Sequence, residues 1–324
     1  MNVAIVGAGL IGRKRARVLP KGVNLTTVCD VNLNKAQHFA RDFKCKIETD
    51  WRKVVKDSKI DAVIISTTNK FLSPIAVEAT LHGKHVLVEK PGAKNLNELN
   101  KIAKVFSGKS VLMFGYNHRY HPGIKMAKKI IDSKKYGQVL FMRAKYGHGG
   151  RLGYEKEWRF DKDLSGGGEL LDQGTHLIDL VNYFCDEMTQ VLGVTGNLFW
   201  KSKLEDSAFF ILKNKKGTIA QLSATCVEWK NLFCFEVMLQ TAKIQIDGLG
   251  GSYGREKLTL YKMKPAMGQP DVKEYIFEEK DNSWKLETQE FFTRIKKKIY
   301  SDRAIKDVRY VLSIVDKLYK KNSL

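Results

Sequence analysis

Short apolar runs alternate with amphipathic segments over the first 120 residues of the chain. The apolar runs predict strands buried on both faces, at Val3–Val6, Leu25–Cys29, Ala62–Ser66, Val86–Glu89 and Val111–Tyr116. The segments between them predict helices at Leu10–Leu19, Leu33–Phe43, Pro74–His82 and Leu96–Phe106. Because strands and helices alternate, we expect βαβ units and a doubly wound parallel sheet.

The pattern changes after Tyr120. A helix is predicted at Pro122–Asp132, then a strand at Val139–Tyr146, an irregular glycine-rich stretch at Gly147–Gly168 and a helix at Leu170–Phe184. Strands then follow one another without helices, at Val191–Leu198, Ala208–Leu212, Thr218–Thr225, Phe233–Leu239, Lys243–Ile246, Leu258–Tyr261 and Tyr275–Phe277. Two helices close the chain, at Trp284–Ile299 and Ile305–Tyr319. The sequence therefore predicts two domains, 1–120 and 121–324, the second a mostly antiparallel open sheet with helices on one face.

A glycine motif joins the first predicted strand to the first predicted helix. It reads G-x-G-x-x-G, with cofactor-binding positions at Gly7, Gly9, Leu10, Ile11 and Gly12. In this position the motif predicts a Rossmann domain whose turn and helix N-terminus bind a pyrophosphate. Asp30 follows the next strand, where a carboxylate accepts hydrogen bonds from the ribose hydroxyls and repels a 2′-phosphate. We therefore expect NAD rather than NADP.

Two further motifs carry acid–base chemistry. Lys90 ends the strand Val86–Glu89, and ligands bind beyond the carboxyl ends of parallel strands, so its ammonium is expected in the cofactor cleft. Asp172 and His176 lie four residues apart on a predicted helix after a triple glycine, and so share one face. Such a pair is often only a surface hydrogen bond. It can also pass a proton to or from a bound hydroxyl.

Together these motifs resemble the glucose–fructose oxidoreductase/inositol dehydrogenase (Gfo/Idh/MocA) family. The Gly7–Gly12 fingerprint, Glu89-Lys90-Pro91 and Asp172-x-x-x-His176 occur in the family's order, over roughly residues 1–250. The resemblance implies that a substrate alcohol loses a hydride to NAD and a proton to a base. His176 is the expected base, Asp172 its partner, and Lys90 the group that binds the substrate oxygen. Many relatives carry a histidine where this chain has Leu72 or Ser73.

Other polar residues follow the predicted strands and are expected near the same cleft. Thr67, Asn69 and Glu89, together with Lys90, are predicted to contact the cofactor. The residues predicted to contact the substrate are Asn117, His118, Arg119, His148 and Trp158. For His148 the alternative is a solvated loop histidine, and for Trp158 it is a place in the core.

The net charge of +21 bears on which substrate the protein is expected to bind and leaves the predicted fold unchanged. The basic runs lack the interleaved aromatic residues of a nucleic-acid platform, so no nucleic acid is expected. A lysine-rich solvated surface explains the excess, and so does an anionic substrate bound by Arg119, Arg151 or Arg159. If these arginines instead pair with neighbouring carboxylates, a neutral sugar or inositol becomes the better substrate.

The sequence thus predicts an NAD-dependent oxidoreductase acting on a CH–OH group of a sugar, inositol or nucleotide-linked sugar, with surface-polysaccharide biosynthesis as a candidate setting. The alternative is a non-catalytic nucleotide- or sugar-sensing regulator on the same fold. The five scattered cysteines predict reduced thiols and no metal site. No apolar run is long enough to span a membrane, and the chain begins directly with a strand. A cytoplasmic protein is therefore expected. Because the exposed face of an open sheet of this kind often pairs with a copy of itself, a homodimer or homotetramer is expected as well.

Overall fold

The computed structural model describes residues 1–277 and 280–321. These residues form two compact units. The first consists of Met1–Tyr116, Asp163–Gly166 and Trp284–Arg309, and the second of Asn117–Lys162, Gly167–Ser283 and the chain from Tyr310 onward. The second unit therefore differs from the predicted domain 121–324, because residues 284–309 return to the first unit.

A six-stranded parallel sheet forms the centre of the first unit. Its strands are β1 Asn2–Val6, β2 Asn24–Cys29, β3 Lys46–Glu48, β4 Ala62–Ile65, β5 His85–Glu89 and β6 Leu112–Gly115. Their order is β3-β2-β1-β4-β5-β6, and all neighbours run parallel. Nearly every residue of β1, β4, β5 and β6 is buried, as expected for a sheet covered on both faces. The predicted doubly wound sheet is confirmed.

Helices connect these strands. They are α1 Leu10–Arg17, α2 Leu33–Phe43, α3 Trp51–Lys56, α4 Asn69–Leu81 and α5 Leu96–Val105. The apolar pattern missed β3 and α3. A strand of three residues and a helix of six are too short to show a periodic pattern. The apolar pattern also placed the start of α4 at Pro74, since proline favours a first turn, but the helix begins at Asn69 and includes that proline.

The second unit contains an eight-stranded sheet. Its strands are β7 Val139–Gly147, β8 Met188–Gly196, β9 Ser207–Asn214, β10 Ile219–Thr225, β11 Leu232–Leu239, β12 Ala242–Asp247, β13 Lys257–Lys262 and β14 Asp271–Ile276. Their order is β14-β13-β12-β11-β7-β10-β9-β8. Only the β7–β10 pair is parallel among these neighbours, so the predicted mostly antiparallel sheet is confirmed.

The remaining helices are α6 Pro122–Asp132, α7 Lys162–Ser165, α8 Thr175–Phe184, α9 Ser283–Lys296 and α10 Arg303–Lys321. Helix α8 packs on β7 and β10. The predicted continuous helix Leu170–Phe184 was wrong in its first part, because Leu170–Gly174 form a π-helical turn that leads into α8. A π-turn has no signature in the apolar pattern and often occurs at functional sites. Here it carries Asp172.

Candidate active site

The glycine turn has the shape that a dinucleotide needs. Gly7 has a φ of 105°, and a Cβ there would lie 2.4 Å from the carbonyl oxygen of Ser66. A Cβ on Gly12 would lie 2.0 Å from the carbonyl oxygen of Gly7, so the helix can pack on the turn only with glycine. Gly9 has no atom within 4 Å of its Cβ position, which leaves its backbone open to a ligand. These are the three roles expected of a dinucleotide fingerprint.

Asp30 is fixed at the carboxyl end of β2. One carboxylate oxygen accepts a hydrogen bond from the Ala8 N–H at 2.8 Å, and the other accepts one from the Asn32 N–H at 2.9 Å. The arginines that could offset this negative charge are engaged elsewhere. Arg13 pairs with Asp42, and Arg15 is completely buried. A carboxylate held in this way beside the glycine turn suits the ribose hydroxyls of NAD and disfavours a 2′-phosphate.

The other predicted cofactor residues follow β4 and β5. The Thr67 hydroxyl donates to the Thr68 carbonyl at 3.1 Å. Asn69 is buried, and its amide donates to the Ser165 carbonyl at 2.9 Å. Lys90 is half-buried directly after β5. The fingerprint, Asp30, Thr67 and Lys90 thus follow the carboxyl ends of four neighbouring strands, which is where an open parallel sheet binds its ligand.

Glu89 lies in a buried ionic cluster. Its Oε1 accepts a hydrogen bond from Arg15 Nε at 2.7 Å. Arg15 Nη2 also donates to Glu287 of α9 at 2.5 Å, and Nη1 donates to the Thr288 hydroxyl at 3.2 Å. The ring of Trp284 lies 4.6 Å from the guanidinium carbon. The Glu89 carboxylate thus has a structural role directly before Lys90, and its contact with the cofactor stays a prediction.

In the second unit, His176 occupies the first turn of α8 and is buried. The ring of His118 stacks on it with a centroid separation of 3.8 Å and an interplanar angle of 26°. Tyr146 of β7 meets both imidazoles edge-on, at 5.0 Å from His118 and 5.9 Å from His176. An aromatic wall thus orients the imidazole that the sequence selected as the base.

Asp172 projects from the π-helical turn. Its Oδ2 accepts a hydrogen bond from Arg159 Nε at 3.1 Å, and the same guanidinium lies 3.4 Å from Glu157 and 5.0 Å from the Trp158 ring. Burial lowers the pKa of Arg159, but Asp172 and its other partners outweigh burial and raise it. Arg159 therefore remains charged beside the Asp172 side chain. Trp158 is half-buried beneath this pair.

All three arginines proposed to bind an anion are paired with carboxylates. Arg119 makes a bidentate contact with Asp179, with distances of 2.7 and 2.6 Å. Arg151 pairs with Glu157 at 2.5 Å, and Arg159 pairs with Asp172. Each of the three guanidiniums is thus engaged by a carboxylate of the same chain. Arg119 also ties its segment to α8, and its contact with a substrate stays a prediction.

Asn117 and His148 have internal partners as well. The Asn117 amide donates to the Ser283 hydroxyl at 2.8 Å. His148 Nδ1 accepts from the Gly150 N–H at 3.0 Å, so Nε2 carries the proton of the neutral ring and points to Glu169 at 3.6 Å. His148 is therefore a half-buried polar residue beside the π-helical turn rather than a solvated loop histidine.

Sequence reasoning missed Tyr146 and Tyr253. Their rings lie 5.3 Å apart and their hydroxyls are hydrogen-bonded. Burial is the main cause that raises the pKa of Tyr253 to about 12, and it also raises the pKa of Tyr146 well above its usual range. Both hydroxyls therefore remain protonated donors near neutral pH. The available signal was the glycine run around Tyr253, where Gly248, Gly250, Gly251 and Gly254 all have positive φ.

Within the described residues no group of three or more His, Cys, Asp or Glu side chains is arranged to hold a metal ion. Across the same residues, no helix combines the length and apolar character needed to cross a membrane.

The geometry defines a dinucleotide-binding unit and a second unit with a buried histidine pair on an open sheet. Family models agree with both. Residues 1–118 match the oxidoreductase family with an NAD-binding Rossmann fold, and residues 124–248 match the GFO/IDH/MocA C-terminal domain. The chain belongs to the Gfo/Idh/MocA family of oxidoreductases, and its first unit is an NAD-binding Rossmann domain.

Among curated proteins, the chain is similar to levoglucosan dehydrogenase of Pseudarthrobacter phenanthrenivorans, with 29% identity over 231 residues. That match covers 67% of this chain and 59% of the relative. Inositol 2-dehydrogenase of Salmonella typhimurium is 30% identical over 153 residues, which are 45% of this chain and 46% of the relative. The matches thus span only about half the length of these relatives.

Solved structures show the same fold. Levoglucosan dehydrogenase in complex with NADH and levoglucosan superimposes with a TM-score of 0.89 over 99% of this chain and 96% of that chain, at 22% identity. GenD2 from gentamicin A biosynthesis in complex with NAD gives a TM-score of 0.85 at 21% identity, over 99% of this chain and 93% of that chain.

Proposed function

We propose that the protein is an NAD-dependent dehydrogenase that oxidises a secondary alcohol of a neutral sugar or inositol. The observation that carries this proposal is the joint presence of Lys90, Asp172 and His176 in a chain of this family. The paired state of Arg119, Arg151 and Arg159 favours a neutral substrate over a phosphorylated or nucleotide-linked one. The named activities of the relatives, on levoglucosan and inositol, fit the same class.

Each catalytic residue has a separate task in this proposal. NAD, when bound, supplies the hydride acceptor. His176 takes the hydroxyl proton, since imidazole titrates near operating pH. Lys90 donates a hydrogen bond to the substrate oxygen and stabilises the negative charge that develops on it. Asp172, paired with Arg159, favours the positive charge that His176 acquires when it takes the proton.

A substrate panel tests the proposal. Neutral sugars, anhydrosugars and inositols are compared with the matching sugar phosphates and nucleotide-sugars, by the absorbance of the NADH that forms. We expect at least one neutral compound to be oxidised, with a higher kcat/KM than its phosphorylated counterpart. Oxidation of charged compounds alone would overturn the substrate class. Tight NAD binding without turnover of any compound would favour the sensing regulator.

That the protein acts in surface-polysaccharide biosynthesis, and that it lies in the cytoplasm, both stay predictions.

We further propose that the outer face of the second sheet pairs with a second copy of the chain. Strands of an antiparallel sheet normally turn polar side chains to solvent, but here four outward residues of β8 and β9 are large and apolar. They are exposed by 45–62% and are Leu192, Val194, Phe209 and Ile211. Arg143 and Glu236 form an ion pair beside them, so the face presents both charges and suits an isologous contact.

Sedimentation of the full chain tests this contact. We expect a dimer or tetramer that Phe209→Lys and Ile211→Lys together shift towards monomer. The matched control places lysine on an exposed site of another element, Leu81→Lys in α4. A wild-type monomer, or an assembly that the double substitution leaves intact, would contradict the proposal.

A further inference from the structure

His118 has no part in the proposed chemistry, although it is the nearest aromatic neighbour of the proposed base. The two imidazoles are nearly parallel at 3.8 Å and both are buried. Phe233 of β11 and Tyr146 of β7 meet the His118 ring edge-on, at 5.9 and 5.0 Å. The ring is thus enclosed by aromatic edges with one face against His176.

A hydrogen-bond chain fixes the tautomer of His118. The Asp281 carboxylate accepts the Ser283 hydroxyl proton at 2.6 Å. The Ser283 oxygen must then accept the Asn117 amide N–H at 2.8 Å, which turns the Asn117 carbonyl oxygen to His118 Nδ1 at 3.3 Å. Because that oxygen can only accept, Nδ1 carries the proton. The chain of groups therefore selects the Nδ1–H form of the neutral ring.

An ion pair clamps the two segments that carry the stacked rings. Arg119 follows His118 directly, and Asp179 lies one helical turn beyond His176. The bidentate contact between Arg119 and Asp179 joins the 3₁₀ turn Asn117–Tyr120 to α8. Asp179 is almost completely buried, so this contact is well shielded from solvent. The position of the His118 ring is thus fixed on both sides, by Asn117 and by Arg119.

Other charged and titratable groups surround the pair in the second unit. His121 lies 5.6 Å from His118, bonds Glu256 at 3.0 Å and lies 3.8 Å from Asp281. Tyr146 and Tyr253 are neutral donors near neutral pH. Asp172, with its Arg159 partner, and Glu169 add negative charge from the π-helical turn and the residue before it. These carboxylates favour one positive charge in the cluster, whereas two stacked cations at 3.8 Å would repel strongly.

We infer that His118 is a positioning residue for His176: a neutral imidazole in the Nδ1–H form, stacked on the proposed base, that fixes the plane of the base and leaves the single positive charge to it. This inference rests on the proposed function, because it assigns the proton to His176. The step itself is unchanged: the substrate O–H bond breaks, its proton passes to His176 and the hydride leaves to NAD. Asn117 and Arg119 then serve the geometry of the pair rather than the substrate.

Nitrogen NMR of ¹⁵N-histidine-labelled full-length protein tests the tautomer without any activity. In wild type we expect His118 to show a protonated Nδ1 and an unprotonated Nε2 near neutral pH, assigned by its loss in His118→Phe. Ser283→Ala, which breaks the chain at a distance from both rings, should reduce the Nδ1–H population. An Nε2–H form or a fully charged ring in wild type would overturn the inference, whatever the enzyme does with sugars.

Kinetics test the positioning role. His118→Ala removes the stacked ring and should lower kcat at least tenfold, with the KM for NAD unchanged within twofold. His118→Phe retains a flat ring against His176 and should restore most of the lost kcat. The exposed His38→Ala is the matched control, and thermal unfolding checks that each variant is folded. Equal kcat in wild type and folded His118→Ala, or equal losses in the Ala and Phe variants, would overturn the role of the ring. Failure of wild type to oxidise any substrate would instead count against the proposed function.

Discussion

At the scale of single residues, cofactor choice depends on one carboxylate and on the engagement of its basic neighbours. Asp30 is held by two backbone N–H groups, so its position does not depend on the ligand. Arg13 and Arg15, which could reach a 2′-phosphate, are held by Asp42 and by Glu89. A 2′-phosphate would therefore meet the negative charge of Asp30, while Arg13 and Arg15 are already engaged by carboxylates.

We expect the protein to bind NADH at least tenfold more tightly than NADPH, as measured by fluorescence titration. Asp30→Asn should reduce this difference in affinity between NADH and NADPH, because the asparagine amide no longer repels the 2′-phosphate. Tighter binding of NADPH by wild type would show that a basic side chain of α1 reaches the phosphate and that Asp30 does not select the cofactor.

Gly9→Ala should weaken the binding of NADH without lowering the stability of the fold. The new Cβ meets no protein atom within 4 Å and the backbone φ of −72° suits alanine, so the melting temperature should stay within about 2 °C of wild type. Its NADH affinity should fall at least tenfold, because the methyl group enters the space left for the pyrophosphate. Gly12→Ala is the contrasting variant and should lose stability as well. Unchanged affinity in a folded Gly9→Ala protein would contradict the assignment of the turn.

Residues in short local motifs could be predicted from the sequence, and residues with distant partners could not. The fingerprint, Asp30 and Lys90 each follow a strand, so a few neighbouring residues define their surroundings. The environment of Asn117 depends on Ser283, which is 166 positions away in the chain. No local pattern reveals that the Asn117 amide donates to the Ser283 hydroxyl.

At the scale of elements, α1, β5 and α9 are joined by one buried cluster. Arg15 of α1 bonds Glu89 at the end of β5 and Glu287 of α9. Gly115 of β6 leaves the space that the cluster needs, since its Cβ would lie 2.9 Å from Glu89 Oε2. The strand end that precedes Lys90 is thus anchored to a helix from the far end of the chain.

Removing Arg15 should destabilise the protein strongly, because two carboxylates would remain buried without their cation. We expect Arg15→Met to lower the free energy of unfolding by about 3–5 kcal/mol, as measured by urea unfolding. Arg17→Met, on the exposed side of the same helix, is the control and should change it by less than about 0.5 kcal/mol. Similar effects of the two substitutions would refute the role of the cluster.

The periodic pattern of apolar residues predicted the long helices and strands, and it failed to predict short or irregular ones. β12 and β13 alternate apolar and polar residues. β9 is apolar on both faces, burying Phe210 and Leu212 while Phe209 and Ile211 point outward. In contrast, β3 has three residues and α3 has six, too few for a period to emerge. The π-helical turn keeps the apolar spacing of a helix and changes only its hydrogen bonds.

At the scale of the whole molecule, the five cysteines are distributed through both units as free thiols. Burial is the largest cause that raises the pKa of every one of them. It raises the pKa of Cys29 and of Cys234 to about 12. The thiolate, which is the reactive form, is therefore scarce in the folded protein.

Thiol labelling with a chromogenic disulfide at pH 8 should show that the thiolate form is scarce in the native protein. Cys29 and Cys234 should react about a thousandfold more slowly in the native protein than after unfolding, because their thiolate fraction is that much smaller. All five cysteines should react once the chain is unfolded. Rapid stoichiometric labelling of native protein would contradict the raised pKa values, and fewer than five thiols after unfolding would reveal a disulfide.

The central claim is that His176 accepts the substrate proton in an NAD-dependent oxidation, and the rate of NADH formation by wild type and His176→Ala tests it most directly. With the neutral sugar or inositol that the panel selects, we predict that kcat of the variant falls by about a hundredfold or more, the usual contribution of an acid–base group. The affinity for NADH, measured on the same samples, should remain within about threefold of wild type. Full turnover by His176→Ala would contradict the claim and would assign the role of proton acceptor to Lys90 or Asp172.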